Sequence, residues 1–221
     1  MVDDRQTRRT IARMWLISSL LLTFIAGGCS NGPATLGNGQ AYQGTELDGI
    51  APNFRLIDQN GALVSLSDFR GRVVVLTFMD SVCKDTCPIT AAQFRETYRQ
   101  LDLDEVGQVV FLGVNVNLEA NSVVDVSNAT DEWRLTEIPG WHFLTGDQDE
   151  LESIWKAYAI AVMTHPDTEV ILHTPGVYLI DPSGQERWYI SVPSAGEGNP
   201  QWISPLSELL VIHIREILKE K

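Results

Sequence analysis

The chain is poor in cysteine, poor in positive charge and has a single long uncharged apolar run. Three cysteines among 221 residues are too few for a disulfide-stapled scaffold. Sixteen Lys and Arg against 29 Asp and Glu leave a formal charge of −13, which removes the basic footprint that nucleic-acid binding needs. Such a balance reads first as a solvated acidic surface and suits cationic partners better than anionic lipid heads. No internal repeat is visible, and no second apolar span follows the first, which argues against a solenoid and against a multi-spanning membrane protein.

The apolar run lies near the N-terminus. Arg5, Arg8, Arg9 and Arg13 precede it, with Asp3 and Asp4, and Met14 to Ala26 then carries no charge. That length suits the core of a signal peptide better than a bilayer span. It ends Ile25-Ala26-Gly27-Gly28-Cys29, which resembles a bacterial lipobox with Cys29 as the lipidated residue. Thr7-Arg8-Arg9-Thr10 resembles a twin-arginine export signal. The plainer reading is an uncleaved N-terminal anchor. Both put the rest of the chain outside the cytoplasm and tied to a membrane. The expected division is a signal peptide over 1–28, a lipidated Cys29 with a Gly/Asn/Pro-rich flexible tether over 29–48, and one domain over 49–221. Loss of residues 1–28 would leave the chain two charges more negative than −13.

A lipidated Cys29 cannot join a disulfide, so Cys83 and Cys87 stand as an isolated pair. They lie in Cys83-Lys84-Asp85-Thr86-Cys87-Pro88, after the apolar run Val73 to Met79, which reads as a buried strand, and before Ile89 to Leu103, which reads as a helix. A strand-to-helix turn offers free backbone N–H groups and the positive end of a helix dipole, and both favour thiolate over thiol. The i, i+4 spacing puts both sulfurs on one face if the first turn is helical, close enough to hold one ion or to close a disulfide. Asp80 would raise a neighbouring thiol pKa and Lys84 would lower it.

Elsewhere the apolar pattern alternates between strand and helix. Asn53 to Ile57 and Leu63 to Leu66 flank Asp58-Gln59-Asn60-Gly61 and read as a hairpin. Val109 to Asn115 is a second apolar strand. Ser122 opens a helix to Arg134, Trp141 to Leu144 is a short strand, and Asp147 caps a helix to about Ala159. Gly176 to Asp181 and Glu186 to Ile190 form a second hairpin, and Ser204 to Lys219 is an amphipathic helix. This order predicts an α/β sandwich, a central mixed sheet flanked by helices with an N-terminal hairpin. Thiols at the carboxyl end of a central strand suggest its thioredoxin-like version.

His173 precedes the Gly176 strand, which predicts a loop position. In a thioredoxin-like fold that loop faces the cysteine turn across the sheet end. Two thiolates and an imidazole make a soft S₂N set that selects Cu(I). Taken alone, a loop histidine is more often a surface or hydrogen-bonding residue. Met163 and His165, in the loop upstream, read as solvated residues with donor atoms that suit copper. His142 reads as structural, His213 as surface or packing, and Tyr178 and Trp188 as core or hairpin positions.

These residues resemble the SCO/SenC family of membrane-tethered, thioredoxin-fold copper proteins. The resemblance covers about Ile50 to Lys221. It rests on Phe54-x4-Gln59-x-Gly61, Gly71-x-Val73-Val74-Val75, the C-x3-C-P of Cys83 to Pro88 with Asp85 inside it, and His173 ahead of Tyr178-Leu179-Ile180-Asp181. It implies that Cys83, Cys87 and His173 hold a copper ion, Cu(I) or Cu(II). It implies delivery to the dinuclear copper centre in a subunit of a respiratory cytochrome oxidase, with thiol–disulfide exchange at Cys83 and Cys87 alongside. A thiol reductant or copper donor protein would serve the site, and the protein would be a lipoprotein on the outer side of the cell membrane.

Two positions depart from the family pattern. An Asn, Asn115, stands where the first Asp of an acidic segment is expected. Pro175 occupies the slot of the thioredoxin cis-proline, so a cis Thr174–Pro175 bond is expected there. It lends support to a competing function, an exported thiol–disulfide oxidoreductase with no obligatory copper role, although such enzymes usually carry C-x2-C. A peroxiredoxin-like peroxidase is disfavoured, because Asp80 stands where that chemistry needs Thr. A structural zinc site is disfavoured by three ligands in place of four.

Overall fold

A computed structural model describes residues 43–165, 168, 170–192 and 205–220. Its strands are β1 (Thr45–Ile50), β2 (Arg55–Ile57), β3 (Leu63–Ser65), β4 (Val73–Met79), β5 (Val109–Asn115), β6 (Trp141–Leu144), β7 (Val162–Thr164), β8 (Ile171–His173), β9 (Gly176–Ile180) and β10 (Gln185–Ser191). Its helices are α1 (Thr86–Gln100), α2 (Leu103–Val106), α3 (Val123–Glu132), α4 (Gln148–Ala157) and α5 (Leu206–Lys219).

Strand β4 organises the molecule. All seven of its residues are buried, because it is covered on both faces. Val73, Val75 and Met79 enter one core, with Cys87, Ala91 and Phe94 of α1, Val126 and Ala129 of α3, and Leu210 and Ile214 of α5. Val74, Leu76 and Phe78 enter the other, with Phe54, Leu56 and Val64 of the β2–β3 region and Leu151 and Trp155 of α4. The period-2 alternation of a strand divides one apolar run between two hydrophobic layers.

The main sheet has the order β1-β10-β9-β4-β5-β6. Strands β4, β5 and β6 are parallel, joined through α1 and α3, while β9, β10 and β1 each pair antiparallel with their neighbours. This is the predicted α/β sandwich with a mixed central sheet.

The β2–β3 hairpin covers the free edge of β6. The Asp58 carboxylate accepts from Asn60 and Ala62 N–H, both at 2.9 Å, and Gly61 takes the positive φ of +77° that the turn requires. Gln59 then donates to the Trp141 carbonyl (3.2 Å) and accepts from Phe143 N–H (2.8 Å), while Ile57 and Thr145 exchange backbone bonds. Unpaired edge groups of β6 are thereby satisfied. His142 is structural as expected, bonding through Nδ1 to the buried Asp58 carboxylate at 3.0 Å.

Three features differ from the sequence reading. Strand β1 starts at Thr45, inside the stretch read as tether, and pairs with β10. Helix α1 starts at Thr86 and not at Ile89, because the Asp85 side chain caps it; Pro88 fits in the first turn, where a missing N–H costs nothing. It ends at Gln100, and Asp102 with Glu105 builds a new capping box for α2.

Candidate thiol and metal site

Strand β4 delivers the chain to a stapled turn. The buried Asp80 carboxylate accepts from Val82 N–H (3.0 Å) and from Asn117 Nδ2 (2.9 Å). Ser81 N–H donates to Asn115 Oδ1 at 3.2 Å, and Ser81 Oγ donates to the Ala120 carbonyl at 2.6 Å. Asn115 is fully buried, and its Nδ2 donates to the carbonyls of Asn117 (2.9 Å) and Ala120 (2.8 Å). An aspartate at 115 could accept from Ser81 N–H but could not donate to the two carbonyls. The amide is therefore a neutral scaffold joining the cysteine turn to the β5–α3 loop. The sequence reading noticed Asn115 as a departure without finding this role.

Cys83 and Cys87 are free thiols, Cys83 half-buried and Cys87 buried at 3% exposure. The Cys87 N–H, one of the unpaired donors of the first helical turn, points at Cys83 Sγ from 3.4 Å. Cys83 Sγ also lies 3.0 Å from Asp85 Oδ1, to which its thiol form donates. Asp85 Oδ1 accepts from Thr86 N–H at 2.6 Å, capping the helix. An aspartate ahead of a helix is a capping signal present in the sequence.

The two thiols are driven apart in acidity. The Cys87 thiol hydrogen-bonds the Cys83 sulfur and is the main reason that the Cys83 pKa falls to about 7. Burial and the Asp85 side chain oppose that fall. Cys87 goes the other way: its bond to Cys83, its burial and the neighbouring negative charges of Cys83 and Asp80 all push its pKa up. The charge of Asp80 raises Cys87 as expected, but a backbone bond from the same residue lowers it and outweighs that charge. Lys84 does not act as expected, because its ammonium is paired with the Glu132 carboxylate at 3.0 Å, and the group that lowers Cys83 is Cys87.

His173 is not in a loop. It is the last residue of β8 and pairs with Val162 across a short hairpin that the sequence reading missed, since three-residue strands carry little periodic signal. Its Nδ1 donates to the Thr174 carbonyl at 3.1 Å, which leaves Nε2 as the free acceptor. Burial lowers its pKa, favouring the neutral ring, and the charges of Asp80 and Asp85 pull the other way. Those two carboxylates therefore act on the cysteine turn and on the ring alike. Among the described residues no three His, Cys, Asp or Glu side chains are grouped closely enough to hold a metal ion. Cys83 and Cys87 are brought together, and His173 is not placed in ligating contact with them.

The expected cis-proline is corrected. No described peptide bond is cis, so Thr174–Pro175 is trans. Thr174 continues the hairpin ladder: its N–H donates to the Ala161 carbonyl and its Oγ1 accepts from Ala161 N–H, both at 3.0 Å. The Pro175 carbonyl accepts from Tyr189 Oη at 2.8 Å. Met163 pairs with Leu172 and is 62% exposed, on the hairpin face opposite Val162 and His173. His213 is buried as a packing residue, stacked on Trp188 at 3.9 Å. Tyr178 is buried in the second core.

The SCO1/SenC family model matches residues 43–199. The mitochondrial SCO2 homolog of Bos taurus is 25% identical over 150 residues, covering 66% of this chain and 55% of that protein, so this chain spans little more than half the length of that relative. Peroxiredoxin Q of rice, Oryza sativa subsp. japonica, is 41% identical over a shorter stretch of 69 residues, 31% of this chain and 32% of that protein. Two solved structures share the fold. A SCO1/SenC family lipoprotein from Bacillus anthracis is 19% identical with a TM-score of 0.64, covering 79% of this chain and 98% of that one. Yeast Sco1 with copper bound is 21% identical with a TM-score of 0.60, covering 78% and 90%. With the family model spanning the domain from before β1 past β10 and including both cysteines and His173, the chain belongs to the SCO1/SenC family.

Proposed function

We propose that this protein is a copper chaperone that takes its cargo on Cys83, Cys87 and His173 and delivers it to the dinuclear copper centre of a respiratory cytochrome oxidase. The observation that carries this reading is the paired, free Cys83 and Cys87 at the N-terminus of α1. Two soft sulfurs and an imidazole nitrogen suit Cu(I), and three ligands suit an ion that must leave again. Family membership and the copper-bound yeast Sco1 support it. Loading has to draw His173 toward the sulfurs and remove the Cys87 proton, so copper uptake should release protons. A thiol reductant or copper donor protein would regenerate the site.

The proposed location is the outer side of the cell membrane, held by a lipid on Cys29. Residues 1–28 would be removed as a signal peptide, the stretch from Cys29 up to β1 at Thr45 would be the tether, and β1 onward would form the domain. The lipoprotein from Bacillus anthracis supports this form.

Cu(I) titration of the reduced protein tests the ligand set. One equivalent should bind, Cys83→Ser or Cys87→Ser should abolish stoichiometric binding, and His173→Ala should weaken it. Full binding by either Ser variant would overturn the proposal. One observation favours a second activity at the same pair: a half-exposed Cys83 with a pKa near 7 beside a buried Cys87 suits thiol–disulfide exchange.

A further inference from the structure

A cleft of about 530 Å³ opens between the loop after β5, helix α4 and the β7–β8 hairpin. Its apolar lining includes Leu118, Trp155 of α4, Ile160, and Val162 and Ile171 of the β7–β8 hairpin. The indole N–H of Trp155 is satisfied by the Asn115 carbonyl at 3.0 Å, so that ring presents only apolar surface to a ligand. Glu119 and Glu152 reach the same cleft against a single cation, Lys156. Its volume is in the range that receives small groups or side chains.

The hairpin next to it has an open edge. His165 N–H donates to Val170 O, and Thr174 N–H donates to Ala161 O. Hydrogen-bonded pairs alternate along an antiparallel ladder, so 161–174, 163–172 and 165–170 are the bonded pairs, and 162–173 and 164–171 are not. The N–H and C=O of Val162 and Thr164 therefore point outward from β7. They have no partner among the described residues. Val162, Met163 and Thr164 all line the cleft, and strand alternation puts the side chains of Val162 and Thr164 on the face of Ile171, with which Val162 packs on the second core.

We infer that the outer edge of β7 receives an extended, apolar and basic segment of a partner protein, which pairs with Val162 and Thr164 as an added strand and drops alternate side chains into the cleft. Main-chain pairing supplies the hold and the cleft supplies the choice of side chain. Residues opposite Val162 and Thr164 point to the same face as they do, which is the cleft face. Glu119 and Glu152 select a Lys or Arg among them, in keeping with the acidic chain. The added strand would run two strand spacings, about 10 Å, from His173. One wall of the cleft, Asn117, also bonds the Asp80 carboxylate beneath the cysteine turn. The surface thus serves to bring a partner's metal-binding or thiol segment to Cys83, and it rests on the proposed transfer role of that site.

The test uses the full chain in detergent, reduced, with a fluorescein-labelled seven-residue peptide alternating valine and lysine as probe. Fluorescence anisotropy should show binding about tenfold tighter than for a valine–glutamate peptide. Methylating the peptide nitrogens that face β7 should weaken it by about tenfold, with the protein left unaltered. Glu119→Lys with Glu152→Lys should reverse the preference between the two peptides and leave Cu(I) stoichiometry intact. Equal binding of all the peptides, or no effect of backbone methylation, overturns the inference. So does a dimer by sedimentation that the peptide dissociates, which would assign the edge to a second copy. A wild-type chain that binds peptide with these preferences but no copper would overturn the chaperone reading alone.

Discussion

At the residue scale the site is an unequal pair. Cys83 is the accessible sulfur and is held near pKa 7 chiefly by the Cys87 thiol. Alkylation of Cys83 by iodoacetamide, followed by mass spectrometry, should therefore rise with pH through a midpoint near 7, since only the thiolate reacts. Cys87→Ala removes the main stabiliser of that thiolate, and the midpoint should move upward by about one unit or more. An unmoved midpoint would mean that the helix N-terminus alone sets the acidity. Asn115 is the second decisive residue. Asn115→Asp keeps the volume but turns two donated bonds into carbonyl–carboxylate repulsion and buries a charge beside Asp80. Stability by urea unfolding should fall by about 3 kcal/mol. Both cysteines, and the chemistry they point to, were legible from their spacing and position. The part played by Asn115 was not, because a side-chain amide reveals its bonds only when the loop that it holds is folded around it.

At the element scale, long apolar strands and capped helices were legible and short polar strands were not. Strands β5 and β6 fall where the sequence put them, and α3 and α4 start behind the expected caps Ser122 and Asp147. The β7–β8 hairpin escaped, and with it the setting of His173, because its order comes from cross-strand bonds and from packing of Val162 and Ile171 on the second core. The ladder bond of Thr174 to Ala161, and not a proline isomer, fixes the chain after His173. Pro175 itself is exposed, and its carbonyl bond to Tyr189 survives replacement of the ring. Pro175→Ala should accordingly leave Cu(I) affinity and the rate of thiol–disulfide exchange within about twofold of the parent, because surface substitutions away from special contacts change little. A large loss of exchange with copper binding retained would instead give this proline an active role.

At the scale of the whole molecule, the class of fold was legible because alternation of strand and helix leaves few layer arrangements. The position of the first strand was not, since β1 carries four exposed residues and no apolar run. Replacement of Cys29 by Ser should shift the protein from the membrane fraction to the soluble fraction, or leave it unprocessed, on fractionation and mass measurement. Normal maturation and membrane retention would assign the anchor to the apolar segment itself. The placement of β1 has a geometric consequence for such an anchored protein. Thr45 pairs with Tyr189, Tyr189 with Tyr178, and Tyr178 with Leu76 at the middle of β4, and the three antiparallel pairings make β1 run against β4, so the chain comes into the sheet from the side toward which β4 runs, the side of the cysteine turn. From Cys29 to Thr45 a fully extended chain reaches at most about 55 Å. Under the proposed lipid on Cys29, the tether would therefore join the domain on the side of its cysteine turn and not on the opposite side of the sheet.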